Sequence, residues 1–256
     1  MPGHIARRRF GQHFLVDAHY IGRIIDAISP SADDRMVEIG PGLGAITKPL
    51  LEKLNHLHVV EIDRDIVARL DTAYAKDKLT IHAGDALKFN FGGLGERLRV
   101  VGNLPYNISS PLLFHLAQYA ERIVDMTFML QKEVVDRMVA APSSSDYGRL
   151  SVMLQCRFAM RRLFIVPPGA FQPPPKVDSA LVRMLPLPAE AERPTDPQRF
   201  AQVVAAAFSQ RRKVIRNTLK PWLAAADFAA LQIDPQLRAE NLSLQQFIRI
   251  ADYTLR

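Results

Sequence analysis

Two spacings of apolar residues alternate along the first half of the chain. Short apolar runs, of the kind that form buried strands, begin at Met36, His58, Leu79, Leu98 and Met126. Between these runs, apolar residues recur three or four positions apart, which is the spacing of one face of a helix. Strands that alternate with helices of this length predict βαβ units and a mostly parallel sheet covered on both faces, and therefore an α/β fold.

The two ends of the chain have different patterns. Near the N-terminus, Asp17 is suited to cap a helix whose apolar face repeats as far as Ile28. Two further strand-like segments, around 164–166 and 179–185, precede a linker over 186–197 that contains Pro and Glu. The C-terminal residues beyond this linker are rich in Ala, Leu, Gln and Arg and lack strand alternation. We therefore expect a large α/β domain over 1–187 and a small all-helical domain over 198–256.

The composition narrows the class of protein. An apolar fraction of 48% supports a substantial core, but no stretch is long and apolar enough to span a bilayer. The basic segment Met1 to Phe10 is not followed by the apolar region of a secretory signal. The single cysteine, Cys156, excludes a disulfide framework and a multi-cysteine zinc site. We expect a soluble cytoplasmic protein that needs no metal, and the net charge of +7 favours a polyanionic partner.

A glycine-rich loop, Gly40-Pro41-Gly42-Leu43-Gly44, follows the first strand of the alternating region. Glycines at this place let the backbone approach a ligand at the start of the next helix. Glu61 ends the next strand about 20 residues later, the distance at which an acidic side chain reaches the ribose hydroxyls of a nucleoside. The alternatives are a tight turn for the glycines and a solvated carboxylate at a strand end for Glu61. The glycines alone also fit a dinucleotide site.

Two more polar loops follow later strands. Asp85 is suited either to accept a hydrogen bond from an adenine amine or to cap the following turn. The loop Asn103-Leu104-Pro105-Tyr106 follows the next strand and Gly102. Asn103 offers an acceptor and a donor to the edge of a ring, Pro105 keeps Leu104 out of the helical region, and Tyr106 offers a stacking face. The alternative is an ordinary turn with Tyr106 in the core.

These polar groups all follow successive strands of one predicted sheet. In an open parallel sheet they would meet in the crevice at the carboxyl ends of the strands, where ligands bind. A pyrophosphate cofactor usually needs further phosphate contacts, and none are evident in the sequence. A nucleoside with a charged sulfonium tail fits as well, and the Asn103 loop favours it.

Nine motifs spread over the chain form a recognisable set. They are Gly11-Gln12-His13-Phe14-Leu15, Glu38-Ile39-Gly40-Pro41-Gly42, Glu61-Ile62-Asp63, Gly84-Asp85-Ala86, Asn103 to Ser109, Leu130 to Val134, Tyr147 to Val152, Phe171 to Ser179 and Phe208 to Lys213. Together they resemble the small-subunit (16S) ribosomal RNA adenine N6,N6-dimethyltransferase family. The resemblance implies a Rossmann-like S-adenosylmethionine-dependent methyltransferase sheet. It also implies dimethylation of two adjacent adenosines in the 3′-terminal hairpin loop of 16S rRNA, late in small-subunit assembly.

The resemblance also implies roles for individual residues. One departure is visible, because the family usually has Asn where this chain has His13; a histidine still donates one hydrogen bond. The residues that would contact S-adenosylmethionine are His13 and Leu15 from the N-terminal arm, Gly40 at its amino-acid end, Glu61 at the ribose, Asp85 at the adenine, and Asn103 between the donor and the target base.

The Asn103 loop suggests how the reaction would proceed. Adenine N6 is a poor nucleophile because its lone pair is delocalised into the ring. Acceptors at Asn103 Oδ1 and at the Leu104 or Pro105 carbonyl would favour a pyramidal nitrogen whose lone pair faces the methyl group. Positioning and electrostatics would supply most of the acceleration, without a metal or a strong base. The base must leave its stack, and Tyr106 and Phe171 are expected to clamp it, although Phe171 also resembles a core residue.

A basic run opens the helical segment near the C-terminus. We expect Arg212, Arg216 and Lys220 to share one helical face, with Val214, Ile215 and Leu219 facing the core. Charge runs are usually only solvated faces, but the net charge and the basic N-terminal arm favour contact with phosphates. The residues assigned to RNA binding are Arg211, Arg212, Lys213, Arg216 and Lys220.

Three competing functions use parts of the same pattern. A large-subunit (23S) rRNA adenine methyltransferase of the antibiotic-resistance type shares the donor-site motifs, but the Pro-rich segment at Phe171 and the basic run weigh against it. A non-catalytic ribosome assembly factor on this fold would not need intact donor-loop residues. A nicotinamide dehydrogenase leaves the Asn103 loop unexplained. No dimer surface is obvious, and we expect a monomer.

Overall fold

A seven-stranded sheet organises the first part of the chain. The computed structural model describes residues 13–105 and 108–256. The strands are β1 (Phe14–Leu15), β2 (Arg35–Ile39), β3 (Leu57–Glu61), β4 (Leu79–Ala83), β5 (Leu98–Asn103), β6 (Ile123–Gln131), β7 (Phe158–Val166), β8 (Phe171–Gln172) and β9 (Ser179–Pro186). The α-helices are α1 (Ala18–Ile28), α2 (Thr47–Leu51), α3 (Arg64–Ala73), α4 (Ser109–Ala117), α5 (Lys132–Val139), α6 (Arg149–Gln155), α7 (Pro197–Ala207), α8 (Ile215–Thr218), α9 (Ala225–Leu231) and α10 (Leu244–Tyr253).

The strand order β4-β3-β2-β5-β6-β9-β7 places β2 at the middle of the parallel part of the sheet. The pairs β4–β3, β3–β2, β2–β5 and β5–β6 are parallel, and β9 is antiparallel to β6. The chain moves outward from β2 to β4 and then returns to β5 on the other side of β2. This reversal leaves a crevice beyond the carboxyl ends of β2 and β5, as the α/β prediction required.

The central strands are strands because they are apolar on both faces. Met36 and Val37 of β2, Val59 of β3 and Val100 of β5 have no solvent exposure. Runs of this kind suit a parallel sheet that has helices on both sides. Two buried carboxylates, Glu38 and Glu61, lie near the carboxyl ends of β2 and β3, and both line the cavity of the candidate site.

The first helix has the start and the apolar face that its sequence predicts. The Asp17 carboxylate accepts the backbone N–H groups of His19 at 2.9 Å and Tyr20 at 3.3 Å, so it satisfies two donors that the first turn leaves unpaired. Ile24, Ile25 and Ile28 are buried. The position of this helix fixes where the preceding strand β1 enters the fold.

Gly102 permits a close approach between β5 and the end of β2. A Cβ atom at this position would lie 2.5 Å from the carbonyl oxygen of Ile39 and 3.1 Å from a methyl group of Leu104. Because the nearer neighbour is backbone, a side chain would have to push the two strands apart. The glycine therefore keeps Asn103 next to the loop that follows β2.

A buried ion cluster ties β5, β6 and β9 together. Arg99 holds both oxygens of the Asp125 carboxylate, with N···O distances of 2.8 and 2.9 Å, and Arg183 donates to the same carboxylate. Asp34 contacts Arg99 from the turn before β2. Burial raises the pKa of Asp125, but the hydrogen bonds and charges of Arg99 and Arg183 outweigh it and hold the pKa below its usual value.

The chain forms two compact units. The first contains the residues up to Val135 together with Met160–Pro186, and the second contains Asp136–Ala159 with Leu187–Arg256. In the second unit, Tyr147, Val152 and Cys156 share a hydrophobic core with α7 and α10. Residues 136–159, which the sequence analysis placed in the large domain, therefore pack with the C-terminal helices. The division into domains of different function, 1–187 and 198–256, stays a prediction.

The basic run does not form the long helix that its spacing suggested. Only Ile215–Thr218 is helical between α7 and α9, and residues 208–213 are turns and bends. Val214 instead forms a β-bridge with Arg238, and the Ile215 N–H donates to the Leu237 carbonyl at 2.8 Å. Ile215 and Leu219 are fully buried as expected. The shared helical face of Arg212, Arg216 and Lys220 is therefore wrong, because pairing with a distant segment replaces the helix.

Within residues 13–105 and 108–256, none of the helices has the length and apolar character needed to cross a membrane.

Candidate active site

A cavity of about 530 Å³ lies beyond the carboxyl ends of the central strands. Its volume is in the range of small-molecule sites, ~300–1,000 Å³. The walls come from β1, from the loops after β2, β3 and β4, and from the Asn103 loop after β5. Of the residues predicted to bind the donor or the target amine, those on the walls are His13, Leu15, Gly40, Glu61, Asp85, Asn103, Leu104 and Pro105.

The glycine loop lets the backbone form one wall of the cavity. Gly40 and Gly42 have φ values of +66° and +55°, which other residues rarely adopt. The Gly40 N–H donates to the Val60 carbonyl at 3.0 Å. A Cβ atom on Gly42 would lie 3.3 Å from the ring of Phe14, so the loop passes directly beside β1.

Glu61 is held in a fixed orientation at the end of β3. Its side chain is 7% exposed, and Oε1 accepts the N–H groups of Ile62 and Asp63, each at 2.8 Å. Burial raises the pKa of Glu61, while hydrogen bonds from the backbone of Asp63, Ile62 and Gly42 lower it. A carboxylate oriented in this way is suited to accept hydrogen bonds from vicinal hydroxyls.

Glu38 is a site residue to which the sequence analysis gave no role. It lies in the otherwise apolar end of β2, is 1% exposed and lines the cavity. Thr47 donates its hydroxyl hydrogen to Glu38 Oε2 at 2.7 Å. Burial raises the pKa of Glu38 to about 7, the Thr47 hydrogen bond lowers it, and the charge of Glu61 raises it. The sequence signal was the acidic residue inside the apolar run Met36 to Ile39.

Asp85 caps a turn, as one of its two alternatives has it, and its contact with an adenine amine stays a prediction. Its Oδ1 accepts the N–H of Leu87 at 2.9 Å, which caps the turn after β4. The same residue lines the cavity and is partly exposed. A carboxylate fixed through one oxygen keeps the second oxygen as an acceptor site.

Asn103 is positioned by both its backbone and its side chain. It ends β5 opposite Met129, and the next N–H, of Leu104, donates to the Met129 carbonyl at 3.1 Å. Its side-chain Nδ2 donates to the His13 carbonyl at 3.2 Å. Because the amide nitrogen faces β1, Oδ1 is the amide atom left for a ligand amine. Tyr106, the predicted stacking residue, lies outside the described residues.

A two-stranded ribbon joins the N-terminal arm to the Pro-rich segment. In β1 and β8, Phe14 is opposite Gln172 and Leu15 is opposite Phe171. The His13 ring extends the ribbon, because its Nδ1–H donates to the Pro173 carbonyl at 2.8 Å. His13 therefore holds the Pro-rich segment with its side chain and Asn103 with its backbone.

The structure places Phe171 differently from the predicted clamp. Its side chain is 4% exposed and packs in the core of the first unit with Leu15, Met129 and Leu181. It is not among the residues that line the cavity. Phe171 is therefore a core residue beside a Pro-rich turn, which was the alternative. Successive side chains of a strand point to opposite faces, and in β8 the buried one is Phe171.

The residues of the basic run are exposed, but they are not equivalent. The Arg211 guanidinium contacts the Glu240 carboxylate at 3.2 Å and donates to the Ser145 carbonyl. These bonds hold the segment 142–146 within the second unit. The other predicted RNA-binding residues are exposed side chains of the same unit: Arg212, Lys213, Arg216 and Lys220.

One protein-family model matches nearly the whole chain. Residues 3–255 match the family described as ribosomal RNA adenine dimethylase. The chain belongs to this family. Among its relatives, the ribosomal RNA small subunit methyltransferase A of Aromatoleum aromaticum is 64% identical over 99% of this chain and 96% of that protein. The protein of the same name from Nitrosospira multiformis is 62% identical over 98% of this chain and 96% of that protein.

Two solved structures of transferases have the same fold. A dimethyladenosine transferase from Plasmodium falciparum is 25% identical, with a TM-score of 0.79 over 93% of this chain and 96% of that chain. The 23S rRNA methyltransferase ErmE is 23% identical, with a TM-score of 0.73 over 95% of this chain and 100% of that chain. The Rossmann-like methyltransferase fold is therefore confirmed.

As a member of this family, the protein is an enzyme that uses S-adenosylmethionine as its methyl donor. The residues of the cavity fit that donor. The glycine loop removes side chains where a ligand must approach the backbone; of the two acidic side chains, Glu61 ends β3 and Asp85 follows β4. Buried carboxylates also suit a ligand that carries positive charge.

Proposed function

We propose that the enzyme transfers methyl groups from S-adenosylmethionine to N6 of two adjacent adenosines in the 3′-terminal hairpin loop of 16S rRNA, late in small-subunit assembly. The observation that carries the proposal is the Asn103 amide, which is held by the His13 carbonyl at the wall of the donor cavity. In this proposal Glu61 binds the ribose, Asp85 the adenine, and Gly40 approaches the amino-acid end. The names of the relatives, small subunit methyltransferase A, support this choice of subunit.

Asn103 and Leu104 supply the acceptors for the target amine. The Asn103 Nδ2 donates to the His13 carbonyl, which orients the amide, and its acceptor atom Oδ1 accepts one N–H of the adenine. The Pro105 carbonyl accepts the Ile108 N–H at 3.2 Å, which leaves the Leu104 carbonyl as the better second acceptor. Two acceptors in the plane of the amine hydrogens favour a pyramidal nitrogen with a localised lone pair. The donor supplies an electrophilic methyl group: the N6–carbon bond forms as the carbon–sulfur bond breaks, and the methylated amine, which is acidic, then loses a proton to water.

The enzyme's contribution is mainly positioning. Ordered acceptors that need no rearrangement during the reaction account for much of the acceleration in sites of this kind. In this proposal Tyr106 stacks on the extruded base. Phe171 supports β8 from within the core, and β8 in turn holds β1 and His13. The monomeric state and cytoplasmic location stay predictions.

Four exposed basic residues of the second unit, Arg212, Lys213, Arg216 and Lys220, are proposed to contact rRNA phosphates. Replacing Arg212, Arg216 and Lys220 with Gln should weaken binding to the small subunit. Three lost contacts should also reduce the slope of log K against log salt by about 2–3, at ~0.7–0.9 per phosphate. Filter binding over a salt series measures both quantities.

The matched control removes the same charge elsewhere. Lys53, Lys76 and Lys78 are exposed lysines of the first unit, and their replacement with Gln should change affinity and salt slope much less. Equal losses in the two triple variants would show that only net charge matters and that the basic run is not a contact surface.

The choice of substrate is tested with subunits that lack the modification. Wild-type enzyme and labelled S-adenosylmethionine are incubated separately with unmethylated small and large subunits. We expect label in the small subunit alone. Label in the large subunit would favour the 23S enzyme, and absence of label from both, with tight small-subunit binding, would favour a non-catalytic assembly factor.

A further inference from the structure

Glu38 is a buried carboxyl group whose charge has no role in the proposed transfer step. In the sheet it lies opposite Val59 of β3 and Val101 of β5, so its lateral neighbours are apolar. Glu38 is 1% exposed and lines the cavity, so a ligand would reach its carboxyl group from the cavity. An ionised carboxylate in such a place is costly without a charge partner.

The hydrogen bonds of the two buried carboxyl groups differ. Glu61 accepts two backbone N–H groups at 2.8 Å each, whereas Glu38 accepts the Thr47 hydroxyl at 2.7 Å. Glu61 is therefore the better stabilised anion. The charge of Glu61 disfavours a second anion at Glu38. The phenol of Tyr74 also interacts with Glu38: burial raises the pKa of Tyr74, and the charge of Glu38 raises it further.

The surroundings of Glu38 therefore favour its protonated form. Burial raises the pKa of Glu38 to about 7, against the lowering effect of the Thr47 hydrogen bond and with the raising effect of Glu61. Among the described residues, the other ionisable side chains on the cavity wall are His13, Glu61 and Asp85. Near neutral pH the carboxyl group is thus poised between its two forms.

We propose that Glu38 is the proton-linked charge partner of the methyl donor: it is protonated in the empty cavity and ionises when the positively charged donor enters. The inference rests on the proposed use of this cavity as the donor site. The O–H bond of the carboxyl group breaks on binding, and its proton passes to the buffer. Because a group that is protonated in the free state must ionise to bind, donor affinity should rise with pH and level off above the free-state transition.

The test is calorimetric titration in two buffers that differ in ionisation enthalpy, which counts released protons without methyl transfer. Relative to Glu38→Gln, the wild type should release about 0.9 proton more on binding S-adenosylmethionine at about pH 6, and about 0.1 more at about pH 8. Its dissociation constant should fall about tenfold more between these values than that of the variant. 5′-Methylthioadenosine has the nucleoside without the charged tail and should release no extra proton.

Thr47→Val is the second variant, because it keeps the shape of Thr47 and removes the hydroxyl donor. It should move the pH midpoint of donor affinity upward. Equal proton release by wild type and Glu38→Gln, equal release with the neutral nucleoside, or an unmoved midpoint in Thr47→Val would each overturn the proposal. Methyl transfer to small subunits by the wild type is measured separately, so failure here is distinguishable from failure of the proposed function.

Discussion

Replacing Asn103 with Ala is expected to lower the rate of methyl transfer by at least about 100-fold, the lower bound for removing one preorganised polar group from a reacting centre. The variant loses the acceptor aimed at the target amine, so its nitrogen lone pair stays delocalised. Donor binding should weaken much less than transfer, because Glu61 and Asp85 are unchanged. Single-turnover transfer to unmethylated small subunits measures the rate, and calorimetry measures donor affinity.

The variant should remain folded, because it loses one hydrogen bond, to the His13 carbonyl, worth about 1 kcal/mol. Asn55→Ala is the matched control: Asn55 is exposed and donates its amide to Asp33 at 3.0 Å, away from the cavity. It loses a comparable bond and should keep the wild-type rate. Transfer by Asn103→Ala within about threefold of wild type would falsify the role of the amide, given the 100-fold expectation.

Replacing Asp125 with Ala should lower the free energy of unfolding by about 3–5 kcal/mol, as in other buried ion pairs that lose one partner. Asp125 has a side chain that is 5% exposed, and its removal leaves Arg99 and Arg183 without their shared carboxylate. Urea unfolding measures the loss. Glu96→Ala breaks the exposed pair with Arg122 and should change stability by less than about 1 kcal/mol.

The effect of Asp125 should also depend on pH. Its pKa in the folded protein is lowered, so its contribution is present above the ordinary value of 3.8 and disappears as pH falls through the lowered pKa. Acidification should therefore narrow the stability difference between wild type and Asp125→Ala. A difference that stays constant down to the acid transition would show that packing, not charge, explains the loss.

The sequence predicted those parts of the site that depend on local patterns. The apolar runs of β2, β3 and β5 are buried on both faces, so their positions were evident from residue type alone. Parallel strands carry their carboxyl ends to one edge, which is why Glu61, Asp85 and Asn103 line one cavity. The fold class and the family followed from the same motifs.

Contacts between distant segments were not predictable in this way. His13 and Pro173 are 160 positions apart, and the β1–β8 ribbon that joins them has no local signature. The β1–β8 ribbon places Phe171 opposite Leu15 in the core and brings the His13 ring to the Pro173 carbonyl. The helix predicted for the basic run is wrong for the same reason. Val214 pairs with the distant Arg238, and this pairing replaces the expected helix.

In the proposed reaction, one cavity holds the donor beside an Asn103 amide that receives an adenine N6 amine. The most direct measurement is mass spectrometry of the 3′-terminal fragment of 16S rRNA after incubation of unmethylated small subunits with the enzyme and S-adenosylmethionine. We expect N6,N6-dimethyladenosine at two adjacent positions of the hairpin loop. Methyl groups on another atom of the nucleoside, or on another base, would contradict it.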